Sequence, residues 1–257
     1  MRCSRVELIP VTGLPIVEGG EDIAKLILEK TEIKDKDVLV ISSTFISKAE
    51  GRVVKLSNVN VTEKARKLAE KIGKKPEFVQ VVLDESEEIL IDYPFLLVKA
   101  KYGAVCVNAG VDGSNVKEGY VVLMPKNPDE SAERIRRRIK ELSGKDVGVI
   151  ITDTNGRCFR KGVVGVAVGC AGVEVLKSWI GEKDLYGKEL EVTVECVADE
   201  IAGAANIIMG EAGDGIPAVI VRGLDISGNG RALDIFRKEE EDVIRRCLKR
   251  SYSSVTT

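Results

Sequence analysis

The sequence of 257 residues contains no histidine. This absence rules out Ser-His-Asp and Cys-His catalysis, histidine-ligated zinc and phosphohistidine chemistry, and it leaves oxygen as the main ligand type for any metal ion. No run approaches the ~18 apolar residues of a membrane span, and no apolar segment marks the N-terminus as a secretion signal, so the expectation is a cytoplasmic protein. The six cysteines (Cys3, Cys106, Cys158, Cys170, Cys196, Cys247) are dispersed without a C-x-x-C pair, which argues against zinc or iron-sulfur sites and for small core residues. Neither G-x-x-x-x-G-K-[ST] nor G-x-G-x-x-G occurs, so the common phosphate-loop and dinucleotide fingerprints are missing. A formal net charge of -2 gives no general attraction to nucleic acid or anionic membrane.

What is present is the composition of a globular protein: 44% hydrophobic and 31% charged residues, in a chain long enough to bury roughly three-quarters of its unfolded surface. The fold expected is α/β, as one large domain or two subdomains sharing a cleft, with no composition break to set a boundary. Apolar density predicts buried strands at 37–43, 147–151 and 218–221, two strands around Tyr102-Gly103, and another at 120–123. Helical spacing predicts helices at 21–31, 62–72, 128–143 (stopped by Gly144), 199–209 and 234–250. Residues 7–19 read as a loop, 78–83 as a strand, and 189–197, alternating charge with apolarity, as a half-exposed strand. The acidic run Asp84, Glu85, Glu87 and Glu88 reads as a solvated face. On the helix at 128–143, Ile135, Ile139 and Leu142 are expected to face inward beneath a salt-bridged basic surface. Residues 251–257 read as a frayed tail.

The chemistry concentrates in residues 149–169. A buried strand there runs into Asp153-Thr154, an Asn155-Gly156 pair expected to turn tightly, and the cations Arg157, Arg160 and Lys161. Carboxylate and hydroxyl oxygens suit Mg²⁺ or Mn²⁺, and arginine pairs with phosphate as a fork. Three further stretches can complete such a site. Ser42 and Ser43 precede Lys48, Asp112 and Asn115 close a turn-rich loop, and 210–217 combines three glycines with Glu211 and Asp214 before a strand.

Taken together, IPVTGLP (9–15), SKAEGR (47–52), NAGVDGSN (108–115), TDTNGRCFRKG (152–162) and DEIAGAANIIMGEAGDGIPAVIVRG (199–223) resemble the coenzyme F420-0:gamma-glutamyl ligase family. The blocks occur in the family's order over nearly the whole chain. The resemblance implies a GTP-dependent ligase that adds L-glutamate to the carboxylate of a deazaflavin coenzyme precursor, and often a second glutamate through the gamma-carboxyl. It also implies two divalent ions (Mg²⁺ or Mn²⁺), potassium stimulation, and an intertwined homodimer of a mixed α+β fold with mixed and antiparallel sheets in two subdomains. Carried over by motif, Asp112, Asp153, Thr154 and Glu211 become the candidate metal site. Thr12, Gly13, Leu14, Pro15, Ser42, Ser43, Lys48, Asn115, Gly210, Ala212, Gly213, Asp214, Gly215 and Ile216 become candidate nucleotide contacts. Lys48, Arg157 and Arg160 are the candidate catalytic cations. A related amide ligase acting on another carboxylate, or a non-catalytic GTP- and metal-binding protein, are the competing readings.

Overall fold

A computed structural model of the chain describes residues 5–253. In chain order these residues form β1 (Glu7–Pro10), α1 (Ile23–Leu28), β2 (Val38–Ser42), α2 (Ser43–Ala49), β3 (Val53–Lys55), α3 (Glu63–Ile72) and α4 (Pro76–Asp84). Then follow β4 (Ser86–Ile91), β5 (Leu97–Ala100), β6 (Val105–Val107), β7 (Tyr120–Val122), α5 (Pro128–Ser143), β8 (Gly148–Arg157) and β9 (Arg160–Ala171). The last elements are β10 (Lys177–Ser178), β11 (Val194–Glu195), α6 (Val197–Met209), β12 (Ala218–Arg222) and α7 (Val243–Ser253). The fold is mixed α/β, and its contacts separate it into two compact units. One holds the residues up to Ile46 with Asn127–Ile235, and the other holds Ser47–Lys126 with the residues from Phe236 onward.

The first unit is built on a five-stranded sheet of order β1-β12-β2-β8-β9, in which only β2 and β8 run parallel. Val38, Leu39, Val40 and Ile41 of the central β2 are at most 2% exposed, as a strand covered on both faces requires. One face carries Val38, Val40, Ile150, Ala167, Cys170, Val219 and Val221 and is covered by Ala198, Ile201, Ala202 and Ala205 of α6. The start of α5 lies against β9, where a Cβ on Gly169 would stand 2.4 Å from the carbonyl oxygen of Pro128. The Asp129 carboxylate accepts from the N–H groups of Cys170 (2.7 Å) and Ala232 (2.8 Å) and locks that junction. Arg222 forks onto the buried Asp37 at 2.8 and 2.7 Å, tying the end of β12 to the approach of β2.

The second unit combines the β4-β5-β6 sheet and the β3-β7 pair with α3 and α4, around a core that includes Ala65, Ala69, Val79, Val82, Leu96, Val98 and Val121. Thr62 caps α3 (its Oγ1 accepts from Ala65 N), and Gln80 of α4 accepts from both Thr62 N and Thr62 Oγ1.

Several elements differ from the sequence expectation. Residues 78–83 are helical as part of α4: Pro76 opens the first turn, and Val79, Val81 and Val82 bury against the unit's core. Residues 7–10 are not loop but the edge strand β1, with Pro10 at its last position, where a missing donor is tolerated. Of the strand expected at 189–197 only Val194–Glu195 forms a named strand, Glu189 makes a single bridge to Lys183, residues 191–194 are exposed, and Val197 already begins α6. The helix expected from 234 starts at Val243, because the Asp242 carboxylate accepts from Arg245 N and sets the start there. The acidic run is a solvated face in part: Asp84 and Glu87 are exposed, Asp84 accepting from Gln80 and Glu87 pairing with Lys99, whereas Glu85 and Glu88 are half-buried partners of Arg52 and Arg245. Ile135 and Ile139 of α5 are buried beneath paired Arg136, Arg138 and Lys140 as expected, but Leu142 is exposed on the last turn. Cys106 and Cys170 are core residues and Cys196 is half-buried, whereas Cys158 and Cys247 are exposed; Cys3 lies outside the described residues. Residues 251–253, assigned to a tail, continue α7, and 254–257 lie outside the described residues.

Candidate active site

Strand register alone brings four separate stretches of the first unit to one end of its sheet. Pro10 pairs with Val219, Ala218 with Ile41, and Ser42 with Thr152. The ends of β1 and β2, the start of β12 and the middle of β8 therefore meet. Val11 N donates to Ala218 O and Ser42 N to Pro217 O, each at 2.9 Å, so the ladder extends into the adjoining loops. Those loops hold Thr12, Gly13, Leu14 and Pro15 on one side, and Gly210, Glu211, Ala212, Gly213, Asp214, Gly215 and Ile216 on the other. Open α/β sheets commonly bind ligands at such a strand end.

β8 does not turn at Asn155-Gly156. Both residues remain in the strand, opposite Val164 and Val163, and the chain reverses at Cys158-Phe159, where Phe159 takes φ 64°. Asp153 and Thr154 are thus successive residues of a continuous strand, and their side chains leave on opposite faces. Asp153 Oδ1 accepts from Ser43 Oγ at 3.2 Å. Thr154 stands opposite Gly165 on the face covered by α6, and its Oγ1 donates to Glu211 Oε2 at 3.4 Å. The other oxygen of Glu211 accepts from Asn206 Nδ2 at 2.8 Å. A Cβ on Gly165 would lie 2.6 Å from the carbonyl oxygen of Ala202, so glycine is what lets α6 sit this close to β9.

Gly210 ends α6 at φ 69°, and a Cβ there would come within 2.4 Å of Asp214 Oδ2. The loop that follows is exposed from Glu211 to Gly215. Arg157 shares the strand face of Asp153 by period two, and its Nη1 is buried with no hydrogen-bond partner among the described residues. An orphaned buried guanidinium N–H is costly and is a ready donor for an anion. Arg160 is its exposed partner across the hairpin.

Lys48, Asp112 and Asn115 belong to the second unit. Lys48, in the last turn of α2, donates through Nζ to the carbonyl oxygen of Asn115, and burial pushes its pKa down. Asn115 takes φ 51°. Asp112 accepts from Ser114 Oγ and exchanges backbone hydrogen bonds with Val122 at 3.0 and 2.8 Å. Three successive positive φ values precede it, at Asn108 (54°), Ala109 (55°) and Gly110 (71°). A Cβ on Gly110 would meet Met124 Cγ at 2.6 Å, so the approach to Asp112 is tightly fixed.

Among the described residues, no three Asp, Glu or Cys side chains stand together as a ready metal-binding group. The donors that do approach one another are all oxygen: Asp153 with Ser43, and Glu211 with Thr154. Such a donor set fits Mg²⁺ or Mn²⁺ and does not fit a thiolate- or imidazole-selected metal. Sequence reasoning missed Asn206, for which the available signal was its position in the last helical turn before the glycine loop, and it did not anticipate Ser43 as the partner of Asp153. Among the described residues no helix is long and apolar enough to cross a membrane.

The sequence model of the family described as F420-0:Gamma-glutamyl ligase matches residues 13–223. The protein named coenzyme F420:L-glutamate ligase from Archaeoglobus fulgidus is 65% identical over 246 residues, covering 96% of this chain and 99% of that protein. Proteins of the same name from Methanocaldococcus jannaschii (49% over 244 residues, 94% and 97% covered) and Methanosarcina mazei (44% over 250 residues, 95% and 98% covered) are similar along their lengths as well. With the matched region spanning both the loop at 13–15 and the strand and glycine loop that hold Asp153, Thr154 and Glu211, the chain belongs to the F420-0:gamma-glutamyl ligase family.

Proposed function

We propose that the protein joins L-glutamate to the carboxylate of the deazaflavin precursor coenzyme F420-0 and then adds a second, gamma-linked glutamate, with GTP as the energy source. A carboxylate does not condense with an amine in water until it is given a leaving group. In this scheme the γ-phosphoryl of GTP passes to the acceptor carboxylate, giving an acyl phosphate and GDP. The glutamate amine, shed of its proton, attacks the acyl carbon; a C–N bond forms, the C–O bond to phosphate breaks, and phosphate leaves. No step needs a covalent enzyme nucleophile, in keeping with a chain that has no histidine.

The observation that carries this reading is the convergence at one sheet end of the glycine loop 210–216, the Asp153–Ser43 pair and the Glu211–Thr154 pair. Backbone that can approach phosphate closely thus lies beside hard oxygen ligands. In the proposed complex the first unit contacts the nucleotide through the loops at 12–15 and 210–216 with Ser42 and Ser43, and Asn115 is the candidate contact on the second unit. Lys48, Arg157 and Arg160 balance charge on the phosphoryl group in transit, and the unpartnered Nη1 of Arg157 supports that role. In the first unit Asp153, Thr154 and Glu211 would hold Mg²⁺ or Mn²⁺ and so supply charge neutralisation for the phosphates, with K⁺ as a further cation, and Asp112 is the candidate ligand on the second unit. A homodimer belongs to the same reading: Ile180, Leu185, Tyr186 and Val192 expose apolar surface of the kind a second copy covers.

The test is incubation of the purified protein with GTP, Mn²⁺, L-glutamate and F420-0 whose carboxylate carries ¹⁸O. The expected result is a product heavier by one or two glutamyl residues, with label in the released phosphate. Label in GMP would identify an acyl nucleotide in place of the acyl phosphate. GTP hydrolysis without an amide product would overturn the ligase reading.

A further inference from the structure

Asn206 occupies the last turn of α6 and serves two partners at once. Its carbonyl oxygen accepts from Gly210 N at 2.9 Å and closes the helix end, while its side-chain Nδ2 donates to Glu211 Oε1 at 2.8 Å. Its Cβ sits 2.9 Å from where a Cβ on Gly165 would stand, and Gly165 is the ladder partner of Thr154. Thr154 in turn donates to Glu211 Oε2 at 3.4 Å. Each oxygen of this exposed carboxylate is therefore held by one neutral donor, and among the described residues it has no ion-pair partner.

From this we infer that Asn206 is a positioning residue, which fixes the Glu211 carboxylate against Thr154 and leaves its remaining lone pairs free for a divalent cation. The inference rests on the reading of Glu211 as a metal ligand. A carboxylate offers about four acceptor sites, of which Asn206 and Thr154 take two. A neutral amide can hold the group without cancelling its charge, whereas lysine or arginine at 206 would compete with the cation. Without that hold, a glutamate on an exposed loop must lose its rotamer freedom when the ion binds. With it, the ordering is complete in the folded protein, which raises ion affinity without any new contact to the ion.

The helix end is closed by the backbone of Asn206, so a change confined to its side chain moves metal affinity and leaves thermal stability almost unaltered. The experiment titrates the purified full chain with Mn²⁺ alone, following free Mn²⁺ by electron paramagnetic resonance, for native protein, N206A, E211Q and the double variant. N206L, which keeps the side-chain shape without the donor, replaces N206A if alanine lowers the melting temperature by more than about 4 °C. The expected result is a loss of affinity of about tenfold in N206A and no further loss when N206A is added to E211Q. If E211Q weakens binding and N206A stays within about twofold of native, Asn206 does not position the ligand, and the reading of Glu211 stands. If N206A weakens binding equally in the E211Q background, Asn206 acts by another route and the inference fails. If E211Q itself binds as native, the reading of Glu211 falls and the inference with it.

Discussion

Lys48 is the group whose ionisation bears most directly on the proposed chemistry. Desolvation lowers the pKa of its ammonium below the ordinary lysine value of about 10.4, because burial penalises the charged form. As pH rises, the charge is therefore lost earlier than in a free lysine. The expected kcat/KM profile falls on an alkaline limb below about pH 10.4, and Lys48→Arg moves that limb out of range at the cost of a lower plateau, since a guanidinium fork does not reproduce a compact ammonium. A limb unmoved by the substitution would remove Lys48 from the phosphoryl-transfer machinery. Lysine and serine residues at such positions were legible in the sequence only as residue types. The Asp153-Thr154 pair was legible as chemistry but not as geometry. Asn-Gly is the commonest tight-turn signal, and it hid the fact that β8 continues to Arg157 with a register shift at its tip. Once the strand continues, period two sends Asp153 toward Ser43 and Thr154 toward Glu211, and one apparent ligand pair becomes two.

At the scale of elements, the helix α6 and the strand β9 meet through small residues, and that closeness delivers Asn206 and Glu211 to Thr154. Gly165→Ala is the direct probe, since the added methyl would stand 2.6 Å from the backbone oxygen of Ala202, which cannot rotate away. Overpacking of this kind costs about 1–3 kcal/mol, read as a lowered midpoint in urea with unchanged slope. Because α6 must lift from β9, Mn²⁺ affinity is expected to fall in the same variant, which the electron paramagnetic resonance titration reads. Elements with caps were the legible ones: α5 runs from Pro128 to Ser143 and stops at the left-handed Gly144, as read. The segment FVQVVL was not legible, because its β-branched residues favour a strand locally while packing in the second unit, and Gln80 bonding to Thr62, favour a helix. The strand expected at 189–197 forms only in part for the converse reason: its alternation is real, but residues 191–194 stay exposed, and pairing is confined to Val194–Glu195 and a single bridge at Glu189.

For the whole molecule, the feature that composition could not reveal is that each unit is discontinuous in the chain. The sheet order β1-β12-β2-β8-β9 threads the N-terminal strand β2 between β12 and β8, more than a hundred residues later in sequence. A fragment spanning Asn127–Ile235 keeps Asp153, Thr154, Asn206 and Glu211 and looks self-sufficient by length, yet it lacks that central strand. Removing β2 leaves the facing edges of β8 and β12 with unpaired backbone groups and uncovers the core on both faces. Val38, Leu39, Val40 and Ile41 are each at most 2% exposed, and burying four such side chains contributes roughly 6–12 kcal/mol, as large as the entire stability of an ordinary domain. The fragment is therefore expected to show no cooperative thermal transition by circular dichroism and to bind a hydrophobic dye. Co-expression with residues 5–46 should restore a cooperative melt, because the strand pairs through the same ladder whether or not the chain is continuous. A fragment that melts cooperatively alone would mean that β8 and β12 can close on each other, and that β2 is dispensable to the sheet end where the proposed site is built.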